Sequence, residues 1–179
     1  GLFQPEIDIA PDELQFWRFG NIGANIYYKL KFNGKVPFFI IGIDGNLQNQ
    51  IIETRELVIP PASRYEVLIR GPKKGKYKLH AEKFNTGPAG DKYPRQILAT
   101  LNSSGSKADP VIPLPTVFPS VPDLSGLTPN VSRQIVFNDT PDPNVFVIDN
   151  RPYEHNRIDQ TVNLGDLEEW VVQNASKEL

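Results

Sequence analysis

Short runs of alternating apolar and polar residues, broken every few positions by proline or glycine, fill the first hundred or so residues of this chain. Residues Ile26 to Phe32 put Ile26, Tyr28, Leu30 and Phe32 on one side and Lys29 and Lys31 on the other, the period of a half-buried strand. Asn33-Gly34 follows and predicts a tight hairpin. Val36 to Ile43 is almost continuously apolar, as a strand covered on both faces would be. Asp44-Gly45 ends it, with the aspartate expected to bond its own backbone in a turn. Leu57-Val58-Ile59 stops at Pro60-Pro61, and Tyr65, Val67 and Ile69 alternate with Arg64, Glu66 and Leu68 until Gly71-Pro72. Gly75 opens another strand with Tyr77, Leu79 and Ala81 inward, which turns His80 toward solvent beside Lys78 and Glu82. Gln96 to Leu101 closes the set. Helical periodicity is nearly absent. From Glu6 to Leu101 about eight strands fall at the spacing of a β-sandwich or barrel.

The pattern lapses between Gly105 and Ser132. Pro110, Pro113, Pro115, Pro119, Pro122 and Pro129 predict an extended linker of polyproline character. Its interleaved Val111, Ile112, Leu114, Val117, Phe118 and Val121 predict that it lies against a surface. Alternation returns in Gln134–Phe137, Val145–Ile148, Thr161–Leu164 and Trp170–Val172, four strand candidates too few to bury an independent core. The expected organisation is an all-β domain at 1–104, a Pro-rich linker at 105–132 and a partial second β domain at 133–179.

Composition narrows the chemistry. The 179 residues are 39% hydrophobic and 22% charged with a net charge of -2, so no basic excess marks a nucleic-acid binder. No apolar run approaches the roughly 18 residues of a membrane helix. There are 0 cysteines, which excludes disulfides, thiol nucleophiles, thiolate metal sites and iron–sulfur clusters. The 2 histidines, His80 and His155, are too few for a zinc or copper site of the usual kind. With 0 methionines, Gly1 reads as a residue left by tag removal and the chain as a fragment of a longer protein.

The remaining candidates all have plain structural roles. His155 lies in the polar run Tyr153–Arg157, where Glu154 and Asp159 offer only an adventitious metal site. Glu168 and Glu169, adjacent on a strand, point to opposite faces and cannot share a substrate as a glycosidase pair. Arg18, Arg64 and Arg70 are expected to pair with acids across strands. Trp17 and Trp170 are expected in packing, whereas Phe84 and Tyr93, beside Gly87–Gly90, are the aromatics a carbohydrate-binding module would use. Asn102, Asn130, Asn138 and Asn174 each head an N-glycosylation triplet. No phosphate loop or nucleophile elbow is present.

Six segments, in order, resemble the multicopper oxidase family. Phe16–Asn21 is similar to the strand "WR-x-x-N" that opens that family's second domain, and Ile40–Gly45 to its "I-x-x-DG" turn. Leu57–Ile69 resembles "L-x-I-x-PG-x-RY-D/E-V-L-V", with Pro61-Ala62-Ser63 where proline-glycine-glutamate is commoner. Ile97–Leu101 resembles the closing strand. Phe146–Tyr153 resembles "F-x-I-N-G-K-x-Y" at the start of the third domain, and Leu164–Asn174 resembles "LG-x-x-EEW-x-x-x-N".

The resemblance implies Greek-key cupredoxin-type β-sandwich domains: a complete middle domain followed by the opening strands of the third. It implies an extracellular or periplasmic, laccase-like parent that couples oxidation of a reductant, such as phenols or metal ions, to dioxygen reduction. Family copper ligands lie in the first and last domains, and the histidine pair that follows "EEW-x-x-x-N" falls beyond Leu179. No catalytic, cofactor-binding or metal-ligating residue is therefore expected in this chain, and copper is expected in the parent. The expected partners are the flanking first and third domains, and a second copy through open strand edges. A copper-free scaffold relative and a carbohydrate-binding or adhesion module are the rival readings.

Overall fold

The structure, a computed structural model, describes residues 2–142 and 145–177. Gly1, Glu178 and Leu179, at the ends of the expected segments, lie outside the described residues. The chain divides into two compact units, Gly1–Asn85 with Asp91–Val121, and Thr86–Gly90 with Pro122–Leu179.

The first unit is a Greek-key β-sandwich. One sheet has the order β1-β11-β8-β3-β6, from Glu6–Ile9, Gln96–Ser103, Gly75–Glu82, Tyr28–Phe32 and Leu57–Ile59. The other has the order β2-β7-β4-β5, from Leu14–Gly20, Arg64–Arg70, Phe38–Ile43 and Asn46–Thr54. A short ribbon pairs β9 (Phe84–Asn85) with β10 (Lys92–Tyr93). The predicted alternation drives this packing. Val67 and Ile69 are fully buried, at 0% exposure, and meet Leu30, Phe32 and Leu79 from the facing sheet in one core. Lys29 and Lys31, one residue out of phase, reach the Glu56 carboxylate at 2.9 and 2.6 Å. The apolar run at β4 is covered on both faces, since Phe38, Phe39 and Ile40 are all buried.

Asn33-Gly34 does not make the predicted hairpin. Asn33–Lys35 is a 3₁₀ turn that carries the chain from β3 in one sheet to β4 in the other. Two interactions hold that crossing: Asn33 Oδ1 accepts the Lys78 N–H at 2.6 Å, and the Phe32 and Phe38 rings stack at 5.3 Å. Burying both rings between sheets outweighs the local turn preference.

No strand interrupts residues 104–130. Arg70 donates to the Ile112 carbonyl at 2.9 Å, and Leu114 and Phe118 are half-buried. Val111, Ile112, Val117 and Val121 remain exposed, because an extended chain presents only some of its side chains to one surface.

The second unit holds β12 (Val131–Asp139), β13 (Phe146–Ile148), β14 (Arg151–Pro152) and β15 (Glu168–Asn174) in the order β14-β13-β12-β15. The predicted strand Thr161–Leu164 is irregular instead. The Thr161 carbonyl accepts from Arg133 at 2.7 Å, and Asn163 bonds Asp166 at 2.9 Å across the Leu164-Gly165 turn, so local polar groups claim the segment.

The departure at Ala62 has a conformational cost. Its φ is +62°, a left-handed value that disfavours a Cβ, and its N–H donates to the Asn21 carbonyl at 2.9 Å. Replacing it with glycine relieves the strain but loosens the unfolded chain. Ala62→Gly is expected to raise the stability of this unit by up to about 1 kcal/mol, measured by urea unfolding.

Candidate interaction surface

The second unit has a sheet but almost no core. β12 and β15 run parallel in continuous register from Val131 opposite Glu168 to Phe137 opposite Asn174. Ile148 of β13 stands opposite Phe137 on the other flank. The two-residue period therefore places Arg133, Ile135, Phe137, Phe146, Ile148, Trp170 and Val172 on one face. That face is apolar and open: Phe146 is 62% and Val172 63% exposed, and among the unit's described hydrophobic residues only Val147 is buried. A cleft of roughly 590 Å³ lies along it, lined by Phe137, Phe146, Ile148 and Tyr153 together with Arg151, Arg157 and Asp159.

One ion pair orders this face. Arg133 grips Glu168 with two bonds, Nε to Oε2 at 2.8 Å and Nη2 to Oε1 at 2.9 Å. Its Nη1 reaches Gln160 at 3.0 Å, and its guanidinium lies 5.5 Å from the Trp170 ring centroid. Trp170 Nε1 donates to the same Glu168 carboxylate at 2.8 Å. The Arg133 bond holds the Glu168 carboxyl below the usual carboxylate range, against the opposing effect of burial and with help from Trp170. Arg133 carries no motif or spacing that marks it in the sequence; its partner lies 35 residues away.

The residues singled out from sequence separate rather than converge. Glu169 bonds Ser132 at 3.3 Å while Glu168 takes Arg133, so the two carboxylates point apart as expected. Arg157 claims both Asp159, at 2.7 Å, and Glu154, at 3.0 Å, while His155 Nδ1 lies 3.2 Å from the Tyr153 hydroxyl. Among the described residues no group of three or more His, Cys, Asp or Glu could hold a metal ion. His80 corrects the sequence reading: it is buried, at 6% exposure, and its Nδ1 has no hydrogen-bond partner. Lys76 and Lys78 on the same face of β8 stay exposed, so the burial is local to His80, which alternation alone does not reveal.

Asp44 makes a turn but bonds a neighbouring strand, accepting the Arg64 N–H at 2.7 Å. Among the described residues Arg64 meets an acid, Asp44 at 3.8 Å. Arg18 instead covers the Phe16 ring at 5.6 Å, and Arg70 donates to the Asp12 and Ile112 carbonyls. Trp17 packs against Phe19 and Phe32. Phe84 stacks on Tyr27 at 5.2 Å and 4°, so one face of the ring a glycan would need is occupied. The Tyr93 hydroxyl donates to the Asn25 carbonyl at 3.3 Å. All four candidate glycosylation asparagines make side-chain bonds: Asn102 to Asp8, and Asn130, Asn138 and Asn174 to backbone N–H groups. Asn21, the asparagine of the "WR-x-x-N" resemblance, is buried and ties the end of β2 to the Ile26 and Ile59 carbonyls. No helix among the described residues is long and apolar enough to cross a membrane.

A two-sheet Greek-key sandwich, with a four-stranded sheet in the unit that follows, has a cupredoxin-type architecture. The family model described as multicopper oxidase matches residues 3–106, more than half of the chain, and the chain belongs to that family. A multicopper oxidase from Campylobacter jejuni, described as a metallo-oxidase, superimposes with a TM-score of 0.77 and 27% identity over 98% of this chain and 40% of its own. A laccase-like multicopper oxidase from Ochrobactrum sp. gives 0.75 and 20% over 96% and 40%. A laccase from Pediococcus acidilactici gives 0.74 and 22% over 95% and 34%. The chain thus spans two-fifths or less of these relatives' length. No curated protein matches it.

The Arg133–Glu168 pair sets a pH dependence. Because the folded carboxyl titrates below its unfolded value, the stabilisation is present above the ordinary carboxylate range and is lost as pH falls through the folded value. Glu168→Gln is expected to lower amide-exchange protection along β15 at about pH 7, with the difference from the parent sequence narrowing below about pH 4.

Proposed function

We propose that this chain is a non-catalytic, copper-free structural segment of a laccase-like multicopper oxidase. The observation that carries the reading is the open apolar face of the β12–β15 sheet. A sandwich domain buries such a face against a second sheet. In this reading that sheet comes from the remainder of the following cupredoxin-type domain. The first unit holds the flanking domains at the spacing their shared copper cluster needs. The ligands of that cluster lie in the first and last domains, and copper in the parent couples oxidation of a reductant, such as a phenol or a metal ion, to dioxygen reduction. The parent acts in an extracellular or periplasmic setting.

Copper binding tests the assignment. Residues 1–179 equilibrated with copper and then dialysed are expected to retain well under one ion per chain, measured by mass spectrometry. Tight stoichiometric retention would overturn the copper-free role. Val172→Asp separates the two contexts. In this chain Val172 is 63% exposed, so the variant is expected to fold normally. In the full-length parent the same aspartate is buried unpaired, and copper loading and oxidase turnover are expected to collapse.

The isolated chain is also proposed to self-associate. β15 is an outer strand of its sheet, seven residues long, with Val171 53% exposed. Open edges of this kind recruit other chains. Sedimentation is expected to show dimers or larger species that Val171→Lys suppresses; a clean monomer at high concentration would contradict this.

A further inference from the structure

His80 stands in a place that suits only a neutral imidazole. It lies on β8, between β3 and β11, on the face turned away from the core residues Leu79 and Ala81. Its strand neighbours across the ladders are Lys31 on β3 and Ile97 on β11. The side chain is nonetheless buried, and its Nδ1 has no partner. The β8–β11 register slips at this point, between Ile97 and Ala99.

The charges around it are mostly positive. β8 itself contributes Lys78 and Glu82, two residues to either side. β3 contributes Lys29 and Lys31, and both are already matched to Glu56, which precedes β6. β11 and β6 carry no titratable residue, and Arg95, just before β11, holds Glu82 at 3.0 Å. The carboxylates on these elements are thus committed to other cations, leaving a proton on His80 Nδ1 without an acceptor among the described residues.

We propose that His80 is an acid-sensitive latch: its protonation opens the β8–β11 ladder at the bulge and frees the start of β11. The imidazolium needs water or an acceptor for its N–H groups. The bulge is where the ladder is already broken, so it is the cheapest point for water to enter. The proton shift agrees with the geometry. Burial first, then Arg95 and Lys78, push the imidazole below the ordinary histidine value, and Glu82 only partly opposes them. The sign follows from linkage. The unfolded chain binds the proton more readily, so stability is complete above about pH 6.5 and is lost as pH falls from there toward the folded value.

The test follows the whole chain by NMR from about pH 8 to pH 4.5. The His80 Hε1 resonance is expected to titrate below the ordinary histidine value. Over the same range the amide protection factors of Ile97 and Ala99 are expected to fall by up to about tenfold for each unit of pH between the ordinary histidine value and the folded value, while those of β7 hold. His80→Phe is expected to abolish that fall and leave the protection at pH 8 unchanged. Titration of His80 at or above the ordinary histidine value, or protection at Ile97 and Ala99 that is independent of pH, would overturn the latch. If His80→Phe does not fold, the wild-type titration and exchange decide by themselves.

Discussion

The first unit depends on the contact between Phe32 and Phe38. The two residues sit six positions apart in the chain, yet one belongs to each sheet, and both are essentially inaccessible to water. Their stacked rings at 5.3 Å, with Trp17 and Phe19 set edge-on at 6.2 and 6.0 Å, form the aromatic bridge on which the sheets rest. Such pairs add about 0.5–1.5 kcal/mol each beyond their burial. The three-residue turn between them can be polar and irregular because the rings, not the turn, decide where the chain goes.

That hierarchy explains what was legible in the sequence. Strand positions whose side chains pack on the core, such as Leu30, Phe32, Val67 and Ile69, announced themselves by alternation, and their burial matches it. The Asn33-Gly34 pair looked like a hairpin because its local preference is real, but which sheet receives the next strand is a tertiary matter. β5 left little trace, since its exposed amide-rich residues pack on nothing, and opposite Ile41 it bulges out over Gln48 to Ile51. His80 was misplaced for a related reason. Alternation reports the two faces of a strand but not whether one position on a polar face is covered.

The candidate surface was less legible than the fold. Motif resemblance located its strands, and the hydrophobic positions of β12, β13 and β15 were visible as short runs. The sequence could not show that Arg133 would find Glu168, because parallel pairing joins residues with no local relation. Once formed, the pair ties β12, β15 and the Gln160–Thr161 segment together through one guanidinium. The two units therefore differ in kind. The first satisfies its apolar surface internally, whereas the second satisfies its polar groups and leaves the apolar ones facing outward.

The parallel pairing of β1 with β11 bears on how the molecule is made. Asp8 and Asn102 bond across 94 residues of sequence, so β1 has no ladder partner until nearly the whole first unit has been synthesised. Ile7 and Ile9 must wait in an incomplete sheet during that interval, when contacts between distant segments are slowest to form. Vectorial synthesis thus gives this fold a long window in which its amino-terminal strand is available to chaperones or to the wrong edge. A circular permutant that places β1 after β11, through a crossover linker long enough to run back along the sheet, would shorten that window.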